Sequence, residues 1–228
     1  MDHYDENYYS WYRRIGEFGG EANLFKFRKY IRLTDRVIDF GCGGGYLLKN
    51  IECAEKIGIE ISETAREHCR ENGIEVVHSA AEIENEWADV IISNHVLGHT
   101  CNPFDEIRLL AQKLKTGGKM VFVFPHERRG RYKSHDVNQI MYTWSEMNAG
   151  NLFANAGFDI LEVKTLRHRW PPKFHLIRKI FGRRLFHLAC WIYGAFYGRT
   201  TQIRVVAQKP PSMNHKWVRT HKILNKHT

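Results

Sequence analysis

The feature that most constrains this chain is an apolar segment that runs directly into a glycine-rich loop. Residues 37–47 read VIDFGCGGGYL, so that a short apolar run is followed by four glycines and then by residues that favour a helix. Glycine lets the backbone turn sharply and approach a ligand, because it has no Cβ. The free N–H groups of the following helix would point to the same place and suit a carboxyl group. The segment predicts a strand–loop–helix unit that binds a ligand through its backbone.

Residues 35–125 continue the same alternation of strands and helices. Short β-branched runs predict strands over 36–40, 56–61, 74–78, 88–93 and 119–124. Helices are expected over 62–72 and 102–115, with Ser62 and Asn102 as N-caps and Pro103 at the first helical position. A helix over 144–156 and strands over 158–163 and 202–208 complete the pattern. This order predicts an α/β fold, Rossmann-like and doubly wound, with a mostly parallel sheet and helices on both faces.

Two acidic residues narrow the choice of ligand. Asp39 precedes the loop and is placed to meet an ammonium group, and Glu60 follows Gly41 by 19 residues. A carboxylate at the second position can accept the two hydroxyls of a ribose. The dinucleotide fingerprint requires a third glycine where this chain has Tyr46. The loop therefore indicates a nucleoside cofactor but disfavours NAD.

The chain resembles the class I S-adenosylmethionine-dependent methyltransferases, in particular their type 11 and type 12 small-molecule branch. The matching segments, in order, are VIDFGCGGGYL, IGIEIS, HSAAEI, ADVIISNHVLGHT and LKTGGKMVFVFP, which cover roughly residues 35–125. The resemblance implies a seven-stranded sheet with one antiparallel strand, and S-adenosylmethionine as the cofactor. The implied cofactor-binding residues are Asp39, Gly41, Cys42 and Gly43 for the methionine part, Glu60 for the ribose, Ile61, Ala80 and Ala81 around the adenine, and Asn94 below the sulfonium.

Catalytic residues are harder to assign, because methyl transfer is an in-line displacement that depends mainly on positioning. A base is needed only for a hydroxyl or a protonated amine. Candidates in the loops after the fourth and fifth strands are His95, His99, His126, His135 and Asp136. We expect His99 or His126 to face the acceptor, although most of the 13 histidines must be bystanders. Many relatives carry glutamate where this chain has Gly98, so no acid–base role is expected there.

Charge is distributed unevenly along the chain. The net charge of +9 combines −6 over residues 1–162 with +15 over residues 163–228, where no Asp or Glu occurs. The positive electrostatic field of residues 163–228 favours anionic partners such as phosphorylated substrates, membrane surfaces or nucleic acid. The five cysteines have no Cys-x-x-Cys spacing, which argues against a disulfide framework and against a zinc site, and no metal is expected. A cytoplasmic location follows as an expectation.

Five segments are expected along the chain: a helical lid over 1–34, the cofactor-binding core over 35–166, a basic amphipathic insertion over 167–200, the last strand over 201–209 and a flexible basic tail over 210–228. The aromatic stretch at residues 8–12 either closes over the ligands or simply packs on the sheet. Residues 174–197 place Phe174, Ile177, Phe181 and Leu185 on one side, with basic residues opposite. They could cap their own domain, contact a membrane peripherally, form a homodimer or capture substrate.

The expected function is methyl transfer to a hydroxyl or amine of a small molecule. The segments EFGGEANL and YTWSEMNAGNLFANAGF resemble methyltransferases of bacterial surface-glycan pathways, which implies a sugar acceptor, phosphate- or lipid-linked. Fold alone does not determine the substrate. An RNA methyltransferase and a non-catalytic partner protein that retained the fold are the alternatives, a nicotinamide dehydrogenase ranks last, and no DNA partner is expected.

Overall fold

A seven-stranded sheet runs through the computed structural model, which describes residues 6–127, 140–196 and 200–212. The strands are β1 Arg36–Phe40, β2 Glu55–Ile59, β3 Glu75–Val77, β4 Ala88–Asn94, β5 Leu114–Glu127, β6 Asp159–Leu166 and β7 Thr200–Gln208. Their order is β3-β2-β1-β4-β5-β7-β6. Strand β7 runs antiparallel to both of its neighbours, whereas the remaining pairs are parallel. The predicted mostly parallel sheet with one antiparallel strand is confirmed.

Six helices accompany the sheet within the described residues. They are α1 Glu6–Asn23, α2 Tyr46–Lys49, α3 Glu63–Glu71, α4 Pro103–Lys113, α5 Glu146–Asn155 and α6 Phe174–Phe196. Short 3-10 turns occupy Leu24–Lys26, Arg28–Tyr30 and Ala80–Glu82. The predicted N-caps are observed, since the Ser62 hydroxyl accepts from Ala65 N and the Asn102 side chain accepts from Asp105 N, each at 3.4 Å.

Apolar cores fill both faces of the sheet. On one face Ile91 and Phe122 of the strands pack with Phe153 of α5 and the buried side of α4. On the other face Val37 and Val121 pack with side chains of α2 and α3. Helices on both faces are therefore confirmed. Within the described ranges, no helix has both the length and the apolar character needed to cross a bilayer.

Four expected boundaries are wrong because pairing between strands overrides the local pattern. Strand β2 ends at Ile59 rather than at residue 61. Leu114 pairs with Ala88, so β5 begins there and α4 ends at Lys113 rather than at residue 115. Antiparallel pairing with β5 extends β7 back to Thr200, inside the segment expected to be the insertion.

Helix α6 departs from its predicted amphipathic pattern at one residue. Gly182 has φ +73° and ψ −178°, which kinks the helix. Phe174 and Ile177 pack against buried side chains before the kink, as expected. Phe181 and Leu185 are exposed, and after the kink the buried side chains are Phe186 and Cys190. The four side chains expected on one side of the helix therefore divide into two that contact the core and two that face solvent.

Candidate cofactor and acceptor site

The glycine loop after β1 packs against the end of two other strands. Gly41 has φ +72°, and its amide donates a 2.8 Å hydrogen bond to the Ile59 carbonyl at the end of β2. A Cβ on Gly41 would lie 2.2 Å from the Val96 side chain. Glycine is required here by both the backbone angle and the close contact. The loop is thereby held at the carboxyl edge of the sheet, where open α/β folds bind ligands.

Asp39 is a buried acid without a cationic partner. Its side chain is 2% exposed, and no cation in the described part of the chain forms an ion pair with it. Burial, and secondarily the negative charge of Glu60, raise the pKa of the Asp39 carboxyl to about 8. A buried acid in this state would be stabilised by a cation brought by a ligand.

Glu60 is fixed at the same loop by two backbone amides. Its Oε2 accepts from Gly43 N at 2.9 Å, and its Oε1 accepts from Ser62 N at 3.0 Å. The carboxylate therefore lies between the glycine loop and the start of α3. Each oxygen retains a further lone pair for a ligand hydroxyl.

One cavity brings together much of the predicted cofactor site. The predicted residues that line it are Asp39, Gly41, Cys42, Gly43 and Asn94. Residues 15–23 of α1 and Trp170 form its other wall. Ile61, Ala80 and Ala81 do not line this cavity: Ile61 is 66% exposed beside Glu60, Ala80 is buried and Ala81 is exposed. Their adenine contacts stay predictions.

Lys26 was missed from the sequence, although it lies beside the cavity. Its Nζ donates a 3.1 Å hydrogen bond to Asn94 Oδ1, and the side chain is 1% exposed. Burial lowers the pKa of Lys26 to about 7. The only signal in the sequence was a lysine set between Phe25 and Phe27, which indicates an apolar environment.

Three buried polar atoms near Lys26 have no hydrogen-bond partner in the described ranges. They are His95 Nε2, His99 Nδ1 and Gln202 Oε1. Burial lowers the pKa of His95 to about 3, with smaller contributions from the charges of Lys26 and His99, so His95 is neutral near pH 7. Unpaired buried polar atoms are costly unless a ligand or water pairs with them. His95 and His99 follow β4, and Gln202 of β7 lies next to His95, so these side chains form a polar cluster near Lys26, called here the polar compartment.

The structure separates His126 from this polar compartment. His126 Nδ1 lies 2.7 Å from Thr201 Oγ1. Thr201 and Gln202 are consecutive in β7, so their side chains point to opposite faces of the sheet. His126 is therefore on the other face from Gln202. His135 and Asp136 lie outside the described residues.

Gly98 is enclosed by the segment that precedes α5. The amides of Met141 and Tyr142 donate to the Gly98 carbonyl at 2.8 and 3.3 Å. A Cβ on Gly98 would lie 3.4 Å from the Tyr142 carbonyl oxygen and 3.6 Å from Trp144 Nε1. The space next to residue 98 is thus filled by residues 140–144.

The sheet order, with its antiparallel β7, is that of the class I S-adenosylmethionine-dependent methyltransferases. Residues 4–163 match a family model described as a methyltransferase domain, and the chain belongs to this family.

Single proteins match this chain in sequence, and solved structures match it in fold. The chain is 31% identical over 99 residues to the ubiquinone biosynthesis O-methyltransferase of Methylococcus capsulatus, covering 38% of this chain and 42% of that protein. It thus spans less than half of that relative's length. The crystal structure of a SAM-dependent methyltransferase from Archaeoglobus fulgidus has a TM-score of 0.63 at 18% identity, covering 90% of this chain and 100% of that chain. Haemonchus contortus phosphoethanolamine N-methyltransferase 2, in complex with S-adenosyl-L-methionine, has a TM-score of 0.60 at 17% identity. The match covers 83% of this chain and 52% of that chain.

Proposed function

We propose that this chain transfers the methyl group of S-adenosylmethionine to an oxygen or nitrogen nucleophile of a small molecule. The observation that carries the proposal is the buried Asp39 carboxyl, which lines the cavity and has no cationic partner in the described part of the chain. The α-ammonium group of the cofactor would supply that cation. The family of the chain supports the same chemistry.

The residues present fit the cofactor in two parts. The methionine end would lie in the cavity against Asp39, Gly41, Cys42 and Gly43, and its carboxylate could accept from backbone amides of the loop. The ribose would lie on Glu60, whose carboxylate is already held by the amides of Gly43 and Ser62. The adenine would then extend toward the exposed Ile61 and the turn at Ala80–Glu82.

The acceptor would occupy the polar compartment beyond Asn94. When bound, the cofactor supplies an electrophilic methyl group, and the protein's task is to align a nucleophile with it. The Nδ1 atom of His99 is unpaired within the described residues and is suited to accept a proton from a hydroxyl. His126 has its Nδ1 engaged by Thr201, which leaves only Nε2 for this role. We therefore favour His99 over His126 as the base.

The acceptor is proposed to be anionic. Lys26 has no carboxylate partner among the described residues, and its buried amine next to Asn94 would be stabilised as an ammonium by a negatively charged oxygen. The acid-free stretch after Glu162 adds a positive field over the same part of the protein. A sugar or glycan hydroxyl with a nearby phosphate is the acceptor class that the sequence resemblance implies.

Two experiments test the proposal in order. Calorimetric titration with S-adenosylhomocysteine tests the cofactor site. Transfer of a labelled methyl group is then measured with sugar nucleotides, with uncharged sugars, with phenolic acids and with RNA. Labelling of sugar nucleotides alone would support the sugar acceptor. Labelling of phenolic acids or RNA alone would refute the sugar acceptor but would still support methyltransferase activity.

A further inference from the structure

Helix α6 exposes an apolar surface that the described part of the chain leaves uncovered. After the kink at Gly182, the inward side chains are Phe186, Cys190 and Gly194. The outward apolar side chains, called here the α6 outer face, are Leu185, Leu188, Trp191, Ile192 and Phe196. Their spacing of three and four residues forms one continuous stripe along the helix. Trp191 is 59% exposed and Phe196 is 82% exposed, so the stripe projects into solvent.

Basic residues border this stripe. Lys179, Arg183 and Arg184 are exposed at the amino-terminal side of the α6 outer face. None of the three has an ion-pair partner within the described ranges, whereas Arg178 pairs with Glu21 of α1. No Asp or Glu follows Glu162 in the sequence, so their charge is not compensated by neighbours in the chain.

A surface that is apolar in the middle and cationic at one end limits what can cover it. A second copy of the chain would bring two acid-free, strongly basic segments together, which like charges oppose. Nucleic acid would pair with the arginines but would leave Leu188 and Ile192 without apolar contacts. An anionic bilayer offers both phosphate groups and an apolar interior at the same surface.

We infer that the α6 outer face docks on the surface of an anionic phospholipid membrane. The apolar side chains enter the boundary between headgroups and acyl chains, and Lys179, Arg183 and Arg184 lie at the level of the phosphates. Trp191 suits this interface, because an indole has an apolar body and one polar N–H. The helix lies along the surface, because its apolar part after the kink at Gly182 is too short to cross the bilayer.

The docking surface is connected to the cavity through side-chain packing. Trp170 lines the cavity and packs on Phe174 of α6 with ring centroids 4.8 Å apart. Phe18 of α1 packs on Phe174 at 4.8 Å and on Phe186 at 5.4 Å. One consequence rests on the proposed function: an acceptor anchored in the membrane would reach the cavity from this side.

The experiment is sedimentation of the full chain with vesicles. One set contains equal parts of phosphatidylglycerol and phosphatidylcholine, and the other contains phosphatidylcholine alone. We expect the wild type to sediment with the anionic vesicles at low salt and to be released at high salt. The Leu188→Ser, Trp191→Ser variant should bind at least about tenfold more weakly, because it removes two apolar anchors. The Arg183→Glu, Arg184→Glu variant should also bind at least about tenfold more weakly.

A matched control replaces exposed apolar residues elsewhere. Leu33→Ser, Met147→Ser changes two side chains that are 71% and 73% exposed and far from α6 in sequence, and it should bind vesicles like the wild type. Wild-type protein that stays in the supernatant at low salt would overturn the inference, as would an apolar variant that binds unchanged. A stable wild-type dimer that the Leu188→Ser, Trp191→Ser variant dissociates would assign the face to self-association instead. Titration of the Leu188→Ser, Trp191→Ser variant with S-adenosylhomocysteine separates a failure of the docking inference from a failure of the proposed function. The affinity of this variant for the cofactor product should equal that of the wild type.

Discussion

Asp39 and Glu60 lie close enough for the negative charge of Glu60 to add to the rise in the pKa of Asp39, which reaches about 8. Burial makes the larger contribution. Two acids therefore share the carboxyl edge of the sheet, one in the cavity and one held by the amides of Gly43 and Ser62. A cationic ligand would relieve this repulsion, which links the binding of the cofactor to the protonation of Asp39.

Cofactor binding should release a proton below about pH 8. In the unliganded protein Asp39 is mostly protonated below that pH, whereas an ammonium group binds the carboxylate form. Affinity for S-adenosylhomocysteine should rise as pH increases toward about 8. Calorimetry in two buffers of different ionisation enthalpy measures the released proton. The Asp39→Asn variant should bind more weakly and release none; equal proton release by this variant would contradict the assignment.

The same carboxyl should influence stability in a defined direction. The pKa of Asp39 is higher in the folded protein than its ordinary value of 3.8, so its stabilising effect is greatest at low pH and is lost as pH rises through about 8. Asp39→Asn should therefore raise Tm of the unliganded protein above about pH 8, by about 3 °C or more, and should have a smaller effect near pH 5. Thermal unfolding across this range is the measurement.

Gly20 should be essential for the contact between α1 and the glycine loop, whereas Gly19 should not. A Cβ on Gly20 would lie 2.2 Å from the Tyr46 carbonyl oxygen, but a Cβ on Gly19 would lie 3.4 Å from the Trp170 ring, an ordinary contact. Gly20→Ala should displace α1 from the cavity and raise the Kd for S-adenosylhomocysteine about tenfold or more. Gly19→Ala is the matched control in the same helix, and it should leave the Kd unchanged. Equal affinities of the two variants would argue against α1 as a lid.

Lys26 should be unfavourable for stability and required for methyl transfer. Its pKa is about 7 in the folded protein, below the ordinary value of 10.5, so the cost of burying its charge is full below pH 7 and disappears as pH rises toward 10.5. Lys26→Met should raise Tm by about 2–4 °C near neutral pH and by less at pH 10. It should leave cofactor affinity unchanged and abolish transfer to an anionic acceptor. A lower Tm with normal transfer would indicate a purely structural lysine.

Among the histidines, His99 should contribute more to turnover than His126. His99→Ala should lower kcat about 100-fold or more if it removes the proton of a hydroxyl acceptor. His126→Ala should have a smaller effect, because the ring is held by Thr201 on the other face of the sheet. Steady-state turnover with saturating acceptor checks both. If both variants keep full turnover, neither histidine is the base.

Local chemistry explains why much of this fold could be predicted from sequence. The strand before Gly41 and the caps at Ser62 and Asn102 depend on residues within a few positions of each other. The position of Lys26 could not be predicted in this way, because its contact with Asn94 joins residues 68 positions apart. The separation of His126 from Gln202 depends on the register between β5 and β7, which no local pattern specifies.

The kink in α6 illustrates the same limit at one residue. Its helical periodicity was visible in the sequence, but the positive φ of Gly182 shifts the buried stripe, which continues through Phe186 and Cys190. A glycine inside a helical pattern gives only a weak indication of such a break. The three-dimensional structure was therefore needed to identify the residues that meet at the site from distant parts of the chain.

The central claim, that Asp39 and Glu60 bind S-adenosylmethionine, is tested most directly by calorimetric titration with S-adenosylhomocysteine. The wild type is compared with the Asp39→Ala, Glu60→Ala variant, and with a control, Glu52→Ala, Glu84→Ala, that removes two exposed acids outside the cavity. We predict micromolar binding by the wild type and the control, and affinity about 100-fold weaker or worse in the Asp39 and Glu60 variant. Absence of binding by folded wild-type protein, or equal binding by all three, would contradict the account.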